Sequence, residues 1–563
     1  MMKRLNEKNY LLLILSVAIC MFPNILLVLI GEDSVTGTIL KKIVYLILGL
    51  AVVLLPLTFL KPKWYSLLIL LLSPYLLFET YAIYVFKAPS SEEAIASVFL
   101  TNYQETTELL GANIFTIISA IIVIIFSLLI TVMIKREYTL SKKIRLRIAS
   151  FTIIVFLALY ARNYLSASRL RDSFSETISL SNYSLRMQLS KIYPIDVFIK
   201  TKDAYSGIKK RKTYLENVKG FKFNAIKNDT LRKQEVYVLV IGETARKHNF
   251  GIYGYHRPTT PNLDTISNII HFTDANSNAN LTSLSVPFMV TRATPEKASL
   301  KFDEPAIITP FKEAGFKTYW LTNIPLGIGS VFGFYSGLAD VYKNTSVSID
   351  AVNYDEKLIP EFEKALQDTT SQKKFIIINT LGSHFRYNYR YPKEFEKFKP
   401  NLKRGLSIES STSIKHKNKI INSYDNSILY TDYIMSRFIS LLKKEQAISY
   451  LYYISDHGEN LFDDESNKLL HAFVNPTKYE IEIPLITWIS DEYKNQFPIK
   501  YNTLVNNKSK RVSSVNTFHT LLDLSNIKYP EENLSKSFGS IKFDSLTKRT
   551  FYRVNKTILK LDQ

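Results

Sequence analysis

The sequence predicts five membrane-spanning helices followed by a soluble α/β domain with a largely parallel sheet. Three observations carry that prediction. Five long apolar runs crowd into the first 165 of 563 residues. From residue 233 onward, short β-branched runs alternate with helix-like stretches, the pattern of a parallel sheet with crossover helices. Between them, 166–232 mixes apolar and polar residues as juxtamembrane segments do. The expected organisation is therefore a transmembrane domain over 1–165, a linker with interfacial helices over 166–232, and a soluble α/β domain over 233–563.

The apolar runs lie near 10–30, 38–60, 64–86, 113–134 and 148–165, each close to the roughly 20 residues that cross a bilayer as a helix. The first is read as a span and not a signal peptide, because no small-residue cleavage site is evident and four more runs follow. Loop charge sets the orientation. Lys3, Arg4, Lys8, Lys61, Lys63 and the segment KREYTLSKKIRLR fall on one side; GEDSVTG and the stretch with Glu92, Glu93, Glu105 and Glu108 fall on the other. Lys41 and Lys42 run against this trend, at a helix end from which they can snorkel. The expected result is an N-terminus inside and everything past residue 165 outside the cytoplasmic membrane.

A formal charge of +21 raises the question of nucleic acid. No helix-turn-helix, zinc-finger or RNA-binding signature accompanies it, and the basic residues are scattered, so an anionic membrane surface is the better partner. The cluster KKRK at Lys209–Lys212, flanked by Tyr205 and Tyr214, reads either as a headgroup contact or as a solvated loop. The single cysteine, Cys20, excludes an internal disulfide and a Cys-based zinc site.

Within the soluble part, VYVLVIGET (236–244) reads as a buried parallel strand that delivers Glu243 and Thr244 to the carboxyl edge of the sheet, where α/β proteins bind ligands. Glu243 is either a metal ligand or a cap on the following helix. Further strands are expected at FKTYWLT (316–322), KFIIINTLG (374–382), YLYYISDHG (450–458) and IPLITWIS (483–490), with a helix over Ser423–Lys444. SDHGEN (455–460) brings Asp456 and His457 to the same edge as Glu243. A carboxylate beside an imidazole suits zinc, and equally suits a hydrogen-bonded loop pair. In NANLTSLSVP (278–287), Thr282, Ser283 and Ser285 are competing hydroxyls. One of them at a helix mouth and near a metal becomes a credible nucleophile.

IGETAR with GIYGYHRPTTPNLD (241–264), SLSVP, LGSHFRYNYRYP (381–392) and SDHGEN together resemble the bacterial membrane phosphoethanolamine transferases of the alkaline phosphatase/sulfatase-like superfamily. With the five-span block, the resemblance covers nearly the whole chain. It implies zinc bound by Glu243, Asp456, His457 and Thr282, with Thr282 as the nucleophile that carries phosphoethanolamine. It implies that His384 and His471 hold the phosphate. Thr101 and Glu105, in FLTNYQETTELLG, match a segment that contacts the donor lipid. The implied reaction takes the group from phosphatidylethanolamine to lipopolysaccharide, at lipid A or a core heptose, by a monomer in the bacterial inner membrane with its catalytic domain in the periplasm.

Three departures stand out. Lipid A-modifying members have cysteines near the nucleophile, where this chain has Asn278 and Phe288. They also have a substrate-contacting Lys after the third strand; here the sequence is TNIPLGIGS, and Asn323 is the remaining polar candidate. LGSHFRYNYRYP is closer to members acting on core heptose. Two alternatives remain at this stage: a glycerophosphate transferase resembling lipoteichoic acid synthases, and a catalytically degenerate envelope scaffold.

Overall fold

The computed structural model of the protein describes residues 3–4, 6–31, 39–86, 89–90, 95, 114–171, 173–229, 231, 233–324, 331–346, 352–404 and 411–562. Two compact units emerge, Met1–Ile208 with Arg404–Glu409, and Lys209–Lys403 with Ser410–Gln563.

The apolar runs of the first unit become helices α1 (Glu7–Ile30), α2 (Ile39–Leu54), α3 (Pro62–Phe86), α4 (Ile114–Met133) and α5 (Lys142–Ala167). Among the described residues, four helices are long and apolar enough to cross a membrane: those in α1, α2 with its short continuation, α3 and α5. The fourth expected span is α4, 20 residues of apolar sequence, whose described side chains cover Ile121–Met133. Leu11, Ile14, Leu29, Ile154 and Leu157 face outward and are all more than half exposed. Such a surface suits an apolar solvent, in which helices satisfy their own backbone groups.

The expected interfacial stretch forms two helices, α6 (Phe174–Leu189) and α7 (Ile195–Asn217). The KKRK cluster lies inside α7, so the solvated-loop alternative is replaced by a helical one. Near its start, α7 carries the buried Asp196 and Lys200, whose ammonium lies 2.9 Å from Asp196 Oδ2 and 3.3 Å from Glu79 Oε1 of α3. Three buried charges are costly unless paired; here each has a partner, and the Ser90 N–H also donates to Glu79.

The second unit is built on a seven-stranded sheet. Its strands are β1 (Glu235–Gly242), β2 (Ile269–His271), β4 (Lys317–Thr322), β5 (Val341–Asn344), β6 (Lys373–Asn379), β7 (Ile448–Ser455) and β8 (Leu485–Ile489), in the order β2-β8-β7-β1-β6-β4-β5. Five strands, β7 to β5, run parallel. The strand expected at IPLITWIS is β8, and it is antiparallel to both neighbours, as befits an edge extension of the sheet. Every residue of β1 and β7 is buried, which explains their continuous apolar sequence. A short parallel pair, β3 (Ala275–Asn276) with β9 (Val512–Ser513), leads into helix α8 (Thr282–Val290). Helix α9 (Lys417–Glu445) precedes β7, and a terminal hairpin, β10 (Thr550–Tyr552) with β11 (Ile558–Lys560), closes the chain.

Register decides the rest. Gly242 pairs with Ser455 and Ile241 with Asn379. The three central strands therefore end level, and the residues that follow them, Glu243, Asp456 and the loop to His384, reach one edge.

Candidate active site

Glu243 leaves β1 and is held by its neighbours. Thr244 adopts a left-handed backbone (φ 57°), which turns its N–H onto Asp456 Oδ1 at 2.9 Å and its hydroxyl onto Glu243 Oε1 at 2.6 Å. A β-branched residue in that region stores strain that the surrounding bonds must offset. The second residue delivered by VYVLVIGET is thus a brace between the two carboxylates. Gly382 (φ 49°) approaches Glu243 closely: a Cβ there would meet the Glu243 carbonyl oxygen at 2.8 Å.

Asp456 Oδ1 also accepts the His457 N–H at 2.7 Å. The ring of His457 has Nδ1 2.9 Å from the Gly458 carbonyl. Donation from Nδ1 leaves Nε2 as the free lone pair, and Nε2 faces Asp456 Oδ2 at 3.2 Å and Glu243 Oε1 at 3.9 Å. Thr282 is the first residue of α8, so its hydroxyl sits at the positive end of the helix. It lies 3.3 Å from Glu243 Oε2 and 3.2 Å from His457 Nε2. Of its two competitors, Ser285 is buried and turned back on the Thr282 carbonyl, and Ser283 points to the exposed face.

Ligand atoms of Glu243, Asp456 and His457 all lie within 4.8 Å of one another, and the three residues are buried. Burial and the neighbouring Asp456 charge push the Glu243 carboxyl well above the usual carboxylate range. Burial lowers the His457 imidazole, with His471 acting in the same direction. Asp456 Oδ2 is buried without a hydrogen-bond partner. Two buried carboxylates facing each other, one with an orphaned oxygen, and an imidazole lone pair at the same point fit a divalent cation. A donor set of O and N without thiolate suits zinc.

His471 stacks near His457, ring centroids 4.0 Å apart. Its Nδ1 lies 3.1 Å from Glu459 Oε1, and Leu470 and Ala472 on either side are both left-handed (φ 71° and 65°). Glu459, in SDHGEN, is the partner of His471. It is fully buried, and burial pushes its carboxyl up to about 8. The signal for it is the carboxylate two residues past a candidate ligand, aimed at a second histidine. His384 follows Ser383, whose N–H donates to the Glu243 carbonyl. Burial and then Arg390 lower its imidazole to about 3.

Asn323 is fully buried; its Nδ2 donates to Asp355 at 2.9 Å, and its Oδ1 accepts from Thr345 at 3.0 Å. Asp355 in turn accepts the Leu381 and Gly382 N–H groups. With both amide ends engaged inside the protein, Asn323 supports the loop that leads to His384 through Asp355. Thr101 and Glu105 lie outside the described residues. The cavity of about 710 Å³ lined by Asn278, Arg292 and Thr550 is not formed by the carboxylate–histidine cluster.

A family model described as Sulfatase matches residues 235–527. Phosphoethanolamine transferase EptC of Escherichia coli is 30% identical over 338 residues, which make up 57% of this chain and 56% of that protein. The chain thus spans little more than half the length of this curated relative. The C-terminal periplasmic domain of Escherichia coli EptC, solved in complex with zinc, superposes with a TM-score of 0.54 at 28% identity, covering 60% of this chain and 95% of that domain. The integral membrane protein lipooligosaccharide phosphoethanolamine transferase A of Neisseria meningitidis shares the fold, with a TM-score of 0.50 at 22% identity over 88% of this chain and 90% of that one.

Proposed function

This chain belongs to the sulfatase family, and from that premise we propose that it is a zinc-dependent phosphoethanolamine transferase of a bacterial inner membrane, with its catalytic unit in the periplasm. The observation that carries the reading is the Thr282 hydroxyl within 3.4 Å of both Glu243 oxygens and within 3.2 Å of His457 Nε2. The zinc-bound EptC domain and the name of that relative support the metal and the transferred group.

The donor is phosphatidylethanolamine, and the membrane helices confine the search for it to a surface. Glu243, Asp456 and His457 would hold the zinc, which would supply Lewis-acid polarisation of the donor phosphate and a lower pKa for the adjoining hydroxyl. Glu243 Oε2, facing Thr282 Oγ1, takes the hydroxyl proton. The Thr282 Oγ–phosphorus bond forms as the bond from phosphorus to the diacylglycerol oxygen breaks, and that oxygen leaves protonated. Thr282 then holds the phosphoethanolamine ester. His471, oriented by Glu459, donates a hydrogen bond to the phosphoryl oxygens and relays the proton, while the neutral His384, with Nδ1 on the Phe385 carbonyl, offers Nε2 as an acceptor to the incoming hydroxyl. A hydroxyl or phosphate of lipopolysaccharide, on lipid A or core heptose, attacks the ester in the second half-reaction and restores the Thr282 hydroxyl.

Incubating the purified full-length protein with phosphatidylethanolamine or phosphatidylglycerol, each labelled in its headgroup, tests this reading. The expected result is label on Thr282 from phosphatidylethanolamine alone. Label from phosphatidylglycerol would make the protein a glycerophosphate transferase, and absence of label from either lipid would remove the covalent route.

A further inference from the structure

The loop that presents Thr282 is fastened by a clasp whose outer half, the hairpin of β10 and β11, lies beyond the family-matched region, which ends at residue 527. Asn278, four residues before Thr282, is bonded through its backbone and side chain. Its N–H donates to Ser514 Oγ at 2.9 Å, and its Oδ1 accepts from Ser514 Oγ and from the Val515 N–H, each at 2.9 Å. Its Nδ2 donates to the Thr550 carbonyl at 2.7 Å, and its carbonyl accepts the Tyr552 N–H at 2.7 Å. One asparagine thus ties the nucleophile loop to β10 and to the loop after β9.

The same hairpin holds the helix beyond Thr282. Phe288 in α8 packs edge-on against the Tyr552 ring, centroids 5.9 Å apart, in a small apolar cluster with Ala279, Ala293 and Val515. The hairpin has its own anchor. Arg549 forms a two-point pair with Asp562 at 2.9 and 3.0 Å, which closes the ends of β10 and β11. Its third nitrogen reaches Asp274, just before β3, at 2.6 Å. Asn278 and Phe288 therefore bracket Thr282, and both are gripped by residues 550–552.

A single buried amide making this many bonds is expensive to disturb, because each partner left unmatched keeps its desolvation cost. Catalytic geometry is sensitive to displacements of about 1 Å, which cost up to roughly 100-fold in rate. We propose that Asn278 and the terminal hairpin form a positioning clasp that sets the Thr282 hydroxyl against Glu243 and His457. The clasp deepens the transferase reading and rests on it for its rate effect. Its hold is entirely non-covalent, since the chain's one cysteine is Cys20 of α1, so reductant leaves it intact.

The test uses the zinc-loaded full-length protein in detergent, with Asn278→Ala and Tyr552→Phe. Two readouts are taken: the rate of Thr282 labelling by phosphatidylethanolamine, and amide hydrogen exchange in 282–290 compared with strand 235–242. Asn278→Ala should slow labelling by roughly 10- to 100-fold at unchanged zinc content and unchanged half-saturating donor concentration. It should also speed exchange in 282–290 while 235–242 stays protected. Tyr552→Phe keeps the ring and should match wild type in both. Wild-type labelling by Asn278→Ala overturns the proposal, and so does loss of protection across the sheet, which marks general destabilisation. If the wild type itself never labels, the transferase reading fails, and the exchange comparison alone decides whether the clasp holds the helix.

Discussion

Replacing Asp456 by asparagine separates a metal ligand from a hydrogen-bonded loop residue. Asparagine keeps an Oδ1 acceptor for the Thr244 and His457 N–H groups, so the loop retains its bonds. It removes one of two carboxylates whose ligand oxygens lie within 4.8 Å of each other. At an effective dielectric constant near 20, Coulomb's law puts their repulsion at roughly 3.5 kcal/mol. Metal-free protein escapes part of that by holding a proton on Glu243, whose carboxyl is raised by burial and by Asp456. A carboxyl raised in the folded state binds more protons folded than unfolded. Stability is then fullest below the unfolded value of 4.5 and falls as pH rises toward the folded one. Metal-free Asp456→Asn should therefore melt a few degrees above metal-free wild type at pH 8, with the difference closing near pH 4. Zinc should raise the melting temperature of wild type and do little for the variant. The assay is thermal unfolding of both proteins with chelator or excess zinc, from pH 4 to 8. A variant that melts lower without metal, or keeps the full zinc shift, refutes the reasoning.

Gly458→Ala puts a Cβ 2.0 Å from the Tyr479 carbonyl oxygen, a backbone atom that cannot move aside cheaply. It should cost about 1–3 kcal/mol and displace His457, seen as a lower melting temperature together with reduced zinc content. His519, packed in α-helix 516–524 with its Nδ1 3.1 Å from the Tyr529 hydroxyl, is lowered by burial to about 3 from 6.5. A histidine lowered in the folded state contributes stability that is complete above 6.5 and is lost as pH falls from there toward 3. His519→Leu should flatten acid unfolding across that window by up to about 5 kcal/mol; an unchanged acid midpoint would exclude His519 as the source.

The strands that position the site were legible because burial on both faces leaves a continuous apolar run, as in β1, β6 and β7. Glu243, Asp456 and His457 stood out for the same reason, as polar residues at the ends of such runs. The edge strands β2 and β5 were not legible: they are short and half-exposed, so nothing in their composition separates them from loops. Composition alone left Thr282, Ser283 and Ser285 as competitors and only the family resemblance favoured Thr282; the helix start then shows which way the first turn points each hydroxyl. Thr244 and Glu459 were visible as residues but not as parts of the site. Their roles depend on partners across the chain, Asp456 at 212 positions away and His471 in a strained loop. The two partners of Asn323, Asp355 and Thr345, were not legible, because they come from segments that sequence spacing does not bring near it.

The account turns on Thr282 as the residue that carries the transferred group. The most direct measurement is mass spectrometry of envelope glycolipids from cells whose only copy of this protein is Thr282→Ala, with membrane abundance and zinc content of the variant measured in parallel. The expected result is no phosphoethanolamine on the acceptor, with abundance and zinc close to wild type. Acceptor still bearing phosphoethanolamine in those cells would contradict the account.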